Sequence, residues 1–104
     1  MPKIYLAGPM TGLPELNFPS FNHFASVLRA IGHEVVNPAE INGLATEKSW
    51  QECMRDDIRE LVGCDAIALL PGWQRSTGAN LELHIAHRLG MDVLFVEQLV
   101  KEYL

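Results

Sequence analysis

Asp65-Ala66-Ile67-Ala68-Leu69-Leu70, halted by Pro71-Gly72, runs on into Ser76-Thr77-Gly78-Ala79-Asn80-Leu81-Glu82-Leu83-His84-Ile85-Ala86-His87-Arg88-Leu89-Gly90, and this pair of segments decides the fold. A short apolar run bounded by turn residues is the pattern of a strand buried on both faces, as in a parallel sheet. The second segment opens as a small polar loop and continues as a helix expected from Gly78 to Leu89, with Gly90 as its stop. Hydroxyls and backbone N–H groups in front of a helix N-terminus suit an anion. Glu82 follows within the first turns. It reads either as a carboxylate complementing the helix dipole, worth about 0.3–1 kcal/mol, or as a group held in a cleft. Its apolar neighbours Leu81, Leu83, Ile85 and Ala86 favour the cleft. Loop and carboxylate together suit a phosphorylated sugar.

Working outward, Lys3-Ile4-Tyr5-Leu6-Ala7 is another buried strand, stopped by Gly8-Pro9. Beyond the loop from Gly8 to Pro19, Phe21, Phe24, Ala25, Leu28 and Ile31 recur at helical spacing until Gly32. His33-Glu34-Val35-Val36 is a brief strand ended by Asn37-Pro38, with Gly43 in the connection that follows. A second helix is expected to start near Thr46 or Ser49, to carry Trp50, Cys53, Met54, Ile58, Leu61 and Val62 on one face, and to end at Gly63. Val93-Leu94-Phe95-Val96 is the last strand, with room for a short C-terminal helix. Strands alternating with helices through short connections imply right-handed crossovers and a mostly parallel sheet of about four to five strands. The fold class is therefore α/β, a flavodoxin-like or Rossmann-like three-layer α/β/α sandwich expected to occupy residues 1–104 as one domain. Ligands of such sheets bind beyond the carboxyl ends of the strands. That rule brings Gly8-Pro9-Met10-Thr11-Gly12, Asn37-Pro38 and the loop from Pro71 to Gly78 to one cleft, which Glu82 faces.

The whole chain bounds the partner. Its 104 residues carry a formal net charge of −5 and no Lys/Arg cluster, which excludes a nucleic-acid polymer and leaves a small molecule. Cys53 and Cys64 stand eleven apart without a C-x-x-C, so neither a disulfide framework nor a zinc knuckle is expected and a reduced, cytoplasmic setting fits. No segment approaches the ~20 apolar residues of a membrane span, and the expectation is a chain without membrane association. A domain of this size buries only about 60–70% of its unfolded surface, so association of copies would supplement the core.

Individual candidates carry competing readings. Asp65 opens a strand at the sheet end remote from the cleft, where a structural pairing is expected. Asp56 and Asp57 lie inside the second helix, and the pattern does not say whether Asp57 faces solvent or the site. His84 and His87 are three apart, but no third ligand matches them and no metal is expected. Trp73, after a Pro-Gly turn, either covers a planar base or makes a contact between copies. Gly8-Pro9-Met10-Thr11-Gly12 is not G-x-G-x-x-G, so a dinucleotide fingerprint is absent.

Tyr5-Leu6-Ala7-Gly8-Pro9-Met10 followed by Ser76-x-Gly78-x-x-x-Glu82-x-x-x-Ala86-x-x-x-Gly90 resembles the nucleoside 2-deoxyribosyltransferase superfamily over nearly the whole chain. Within it the likeness points to a small phage and bacterial branch near the 2'-deoxynucleoside 5'-monophosphate N-glycosidases. The resemblance implies that Glu82 is the nucleophile and that Tyr5 lies against it. It implies that Asp57, eight residues before Asp65, contacts or protonates the base. Ser76, six before Glu82, stands where nucleoside transferases have Asp and the monophosphate N-glycosidases have Ser; Gly78 would contact the phosphate. The first-loop arginine of those glycosidases falls here at about Thr11, and Arg75 would substitute from the neighbouring loop. Gly8, Pro9, Met10 and Thr11 would line the substrate site, no cofactor would be needed, and the protein would form a homo-oligomer whose sites a neighbouring subunit completes. Two other classes stay open: a non-catalytic module binding a nucleotide or nucleotide-derived signal, and an interaction protein that keeps the fold without the site.

Overall fold

The computed structural model describes residues 2–43 and 47–101. In chain order they form β1 (Lys3–Ala7), α1 (Phe18–Ile31), β2 (Glu34–Val36), α2 (Pro38–Asn42), α3 (Trp50–Leu61), β3 (Ala66–Leu69), α4 (Thr77–Arg88), β4 (Asp92–Phe95) and α5 (Val96–Lys101), with 3-10 turns at Pro14–Asn17 and Trp73–Arg75. Among the described residues the sheet has four strands in the order β2-β1-β3-β4. Every pairing is parallel, with Lys3 opposite Glu34, Ala7 opposite Leu69 and Ala66 opposite Asp92. This is the three-layer α/β sandwich that the alternation of strands and helices implies.

Side chains of the central strands alternate between two cores, as the pleat demands. Ile4, Leu6, Ala66, Ala68 and Leu70 face one cluster with Phe21, Ala25 and Leu28 of α1 and Val96 of α5. Tyr5, Ala7, Ile67 and Leu69 face the other, with Leu61 of α3 and Ala79 and Ala86 of α4. Burial on both faces explains why β1 and β3 read as continuous apolar runs. The helix ends are chemically marked. Ser49 and Glu52 form a capping box at α3, with Ser49 Oγ accepting from the Glu52 N–H at 3.1 Å and Glu52 Oε1 accepting from the Ser49 N–H at 3.2 Å. Ser76 caps α4 by accepting from the Ala79 N–H at 3.1 Å.

Several boundaries move. The Asn37-Pro38 connection is a short helix, α2: Pro38 opens it and the Asn37 side chain accepts from the Ala39 N–H at 3.0 Å. An Asn-Pro pair is a turn signal and equally an N-cap followed by N1 proline, and here the second use wins. The buried stripe of α3 is Met54, Asp57 and Leu61, while Trp50 and Val62 stand 45% and 53% exposed. Val96 leaves the last strand and starts α5. The start of α3 falls at the Ser49 cap, and the alternative at Thr46 lies outside the described residues. No described helix is long and apolar enough to cross a membrane.

The chain order places β2 on one side of β1 and β3 on the other, so connections leave the carboxyl ends of β1 and β3 in opposite directions. That divergence is the switch point at which α/β sheets open a crevice. Gly8 continues β1 at its edge, and a Cβ there would lie 2.7 Å from the Leu70 Cβ. Leu70 is fully buried and its N–H donates to the Ala7 carbonyl at 2.8 Å, so it has nowhere to go. Gly8→Ala is expected to cost about 1–3 kcal/mol by overpacking, read as a Tm lowered on the order of 10 °C in calorimetry; an unchanged Tm would show that the strand ends part freely.

Candidate functional site

A cavity of about 850 Å³ opens at this switch point. Its walls come from the end of β1 and the loop after it (Tyr5 to Thr11), from Pro38, Asn42 and Gly43 at α2, from Lys48, Trp50, Cys53, Met54 and Asp57 around α3, and from Arg75 to Ala79 and Glu82 at α4. The sequence order of these elements is scattered, and the β2-β1-β3 arrangement is what assembles them.

Glu82 lies in the second turn of α4, is 5% exposed, and accepts a hydrogen bond on Oε2 from the Tyr5 hydroxyl. The first turn of α4 carries no acidic residue, so the dipole reading of Glu82 gives way to a carboxyl held inside the fold. Burial pushes its pKa up to about 8; the Tyr5 hydrogen bond pulls the other way and the nearby Asp57 adds to the rise. Tyr5 is held well above its ordinary value, first by burial and then by the negative charges of Glu82 and Asp57.

Asp57 is 6% exposed and faces the same cavity. Its position on the buried stripe of α3, which the sequence pattern left undecided, comes from packing. Burial raises its pKa to about 6, against the lowering effect of a hydrogen bond from Asn42 and of the Lys48 charge. Asn42 Nδ2 donates to Asp57 Oδ1 at 2.9 Å, and Lys48 Nζ donates to Asn42 Oδ1 at 3.0 Å. Lys48 also pairs with Asp56 at 2.6 Å. Two carboxyls whose environments raise both pKa values into the neutral range, sharing one cavity, are the usual materials of acid–base and nucleophilic chemistry.

Thr77 and Gly78 stand at the N-terminal turn of α4, where helix N–H groups lack intrahelical acceptors, and both line the cavity. A Cβ on Gly78 would meet Met54 Sδ at 3.2 Å, so this glycine gives α3 room to approach. Gly8, Pro9, Met10, Thr11, Arg75 and Ser76 all line the cavity, and Ser76 Oγ reaches the Gly8 carbonyl at 3.5 Å.

Trp73 does not line it. Half-buried, it packs against the cluster containing Tyr5 and Leu69, and the tryptophan lining the cavity, beside Tyr5, Phe18 and Phe21, is Trp50. Asn42, Lys48 and Trp50 are among the lining residues that sequence reasoning did not single out for the site. Nothing in their local sequence distinguishes them: an Asn before Gly43 reads as a helix end and a Lys before a capped helix as a surface charge.

The remaining candidates sit elsewhere. Asp65 accepts from the Lys3 backbone N–H at 2.8 Å, a structural pairing at the far end of the sheet. His84 and His87 are exposed on α4, and no cluster of metal-ligating groups occurs among the described residues. Cys64 is buried, its thiol pushed up to about 11 by burial.

Comparison with known proteins accords with this architecture. One solved structure, a 2-deoxyribosyltransferase from the psychrotolerant bacterium Bacillus psychrosaccharolyticus described as a biocatalyst for nucleoside synthesis, aligns with a TM-score of 0.70 and 26% sequence identity over 89% of this chain and 70% of that chain. The chain thus has a deoxyribosyltransferase-like fold. No curated protein matches it. Residues 2–95 match the family described as "Domain of unknown function (DUF4406)", and the chain belongs to that family.

Proposed function

We propose that the chain cleaves the N-glycosidic bond of a 2'-deoxynucleoside 5'-monophosphate, by hydrolysis or by transfer to an acceptor base, with Glu82 as nucleophile. The observation that carries the reading is the buried Tyr5–Glu82 hydrogen bond in a cavity shared with Asp57. The likeness to a 2-deoxyribosyltransferase supports glycosyl transfer on a nucleoside at the general level. The 5'-phosphate is argued from the N-terminal turn of α4, where Ser76 and the Gly78 N–H meet an anion with the positive end of the helix dipole behind them. Arg75, on the cavity wall, supplies the cation.

In the reaction, a Glu82 carboxylate oxygen forms a bond to C1' while the C1'–N bond breaks and its electron pair stays with the base. Asp57 delivers a proton to that base, and charge builds on the sugar as an oxocarbenium-like transition state. Tyr5 orients the attacking carboxylate. Water, or a second base, then opens the glycosyl ester and returns a proton to the site. A second reading, nucleotide binding without turnover, draws on one observation: burial holds Glu82 protonated up to about 8, and a neutral carboxyl is a poor nucleophile.

Chromatography of free base released from deoxy- and ribonucleoside 5'-monophosphates and the matching nucleosides, with and without acceptor base, tests the proposal. Release from a deoxynucleotide that disappears in Glu82→Gln is expected; a Glu82→Gln protein that still turned over would end the nucleophile assignment, and tight binding without release would favour the second reading. Tyr5→Phe is expected to lower kcat by about one to two orders of magnitude while leaving KM nearly unchanged.

The pH profile has a definite shape. Productive chemistry needs one proton on the Asp57–Glu82 pair, located on Asp57; the higher pKa of Glu82 keeps most of the singly protonated pair in the opposite arrangement, so the reactive form is its minor arrangement. Below about 6 both carboxyls are protonated and no nucleophile remains; above about 8 both are ionised and no acid remains. A bell-shaped kcat/KM with limbs belonging to the pair is therefore expected near those values, and a flat profile from pH 5 to 9 would contradict it.

Stability, unlike activity, should fall steadily as pH rises. The folded pKa of Glu82 lies above its unfolded value of 4.5, so the native state holds the proton more tightly. Stability is therefore full below the unfolded pKa and is lost as pH rises towards 8, by on the order of a few kcal/mol. Glu82→Gln escapes that loss. Its Tm advantage over the unmodified chain is expected to widen from pH 5 to 8, and a constant difference would mean that Glu82 titrates normally.

A further inference from the structure

We infer that Asn42 is a positioning residue that fixes which oxygen of Asp57 carries the proton, and that Lys48 sets the orientation of Asn42. The inference rests on the glycosidic reading above, in which Asp57 is the acid. Asn42 closes α2 and Lys48 precedes the cap of α3, yet both reach the cavity wall beside Asp57. The three side chains form a directional chain. Lys48 Nζ donates to Asn42 Oδ1 at 3.0 Å, and Asn42 Nδ2 donates to Asp57 Oδ1 at 2.9 Å and to the Pro38 carbonyl at 3.2 Å.

The direction has chemical content. An ammonium has donors only, so Lys48 takes the amide oxygen and leaves the NH2 end of Asn42 for Asp57. Asp57 Oδ1, already accepting from that NH2, is the poorer oxygen to hold a proton, because a carbonyl oxygen accepts a hydrogen bond better than a hydroxyl oxygen does. That bond favours the proton on Oδ2, the oxygen Asn42 does not engage, which is then the one to serve the departing base. With the amide reversed, its oxygen would face Asp57, repel the carboxylate and draw the proton of the neutral form onto Oδ1, away from the substrate. Lys48 is itself anchored by Asp56 at 2.6 Å, so its ammonium stays where the orientation needs it.

Asp57 does not titrate alone. Among the described residues it is faced by Glu82 from α4, Tyr5 from β1, Lys48 from the segment before α3, and Asp56 and Cys53 from α3 itself. A test must separate the hydrogen bond from these charges, and leaving-group chemistry does so. Asn42→Leu, which keeps bulk and removes the donor, is measured on the deoxynucleotide and on 4-nitrophenyl 2-deoxyribofuranoside 5-phosphate, whose leaving group departs without a proton. We expect kcat to fall about ten- to hundredfold on the nucleotide and by less than about threefold on the nitrophenyl compound. Equal losses on both would reduce Asn42 to a structural residue and overturn the inference. Lys48→Met is expected to show the same leaving-group dependence at smaller amplitude, and a loss independent of leaving group would remove Lys48 from the chain.

A second readout needs no turnover. The carboxyl carbon of Asp57, followed by 13C NMR against pH, should titrate at a higher midpoint in Asn42→Leu than in the unmodified protein, since an N–H donor that favours the ionised form is gone. An unmoved or lowered midpoint would overturn the inference whatever the enzyme does. Absence of any Glu82-dependent base release from the unmodified chain would instead overturn the glycosidic reading, with the titration still deciding whether Asn42 governs the Asp57 proton.

Discussion

A carboxyl group buried in the second turn of a helix needs a donor, and the Tyr5 hydroxyl on the central strand supplies it to Glu82 across 77 positions of sequence. An unpaired carboxyl at this depth would be among the most expensive groups in the molecule. The hydrogen bond therefore constrains both elements: β1 must present Tyr5 to the α3/α4 face, and α4 must lie with Glu82 turned inward. The alternation of β1 meets the first requirement, sending Tyr5 and Ala7 to one core and Ile4 and Leu6 to the other. Small residues at Ala79 and Ala86 meet the second by letting α4 lie close to the sheet.

Around that contact the electrostatics are graded. Glu82 sits deepest and its partner is a neutral phenol; Asp57 sits in a more polar setting, with an amide and an ammonium near it. Burial raises both, but unequally, so the two carboxyls titrate apart and the pair passes through a state with a single proton between them. A polar network of this kind is worth keeping only if its members are satisfied. The chain Lys48–Asn42–Asp57 and the pair Tyr5–Glu82 do that with side chains drawn from five separate segments.

Much of the architecture was legible because its signals are local. Apolar runs ending in Gly-Pro or Pro-Gly mark β1 and β3, glycines close α1 and α4, and Ser49 is one of the two expected starts of α3. The errors have equally local causes. Asn37-Pro38 serves either a turn or a helix start, and only the hydrogen bond to the Ala39 N–H reveals which. Val96 is apolar enough for a strand, yet its fully buried side chain is also what anchors α5 to the first core. Trp50 lines the cavity and Trp73 packs into the second core, a distinction hidden from the sequence because a tryptophan's neighbours do not say which side of a layer it will meet.

The sequence by itself determined the α/β class, the parallel sheet, the polar loop before α4 and Glu82 as the group to watch, since each depends on periodicity, caps or turn chemistry within a few residues. Tertiary structure alone decided that Asp57 turns inward, that Trp50 rather than Trp73 walls the cavity, and that Asn42, itself bonded by Lys48, reaches Asp57. These outcomes depend on where β1 and β3 diverge and on how closely α3 and α4 pack over them. That is a property of distant surfaces meeting, which no short stretch of residues encodes.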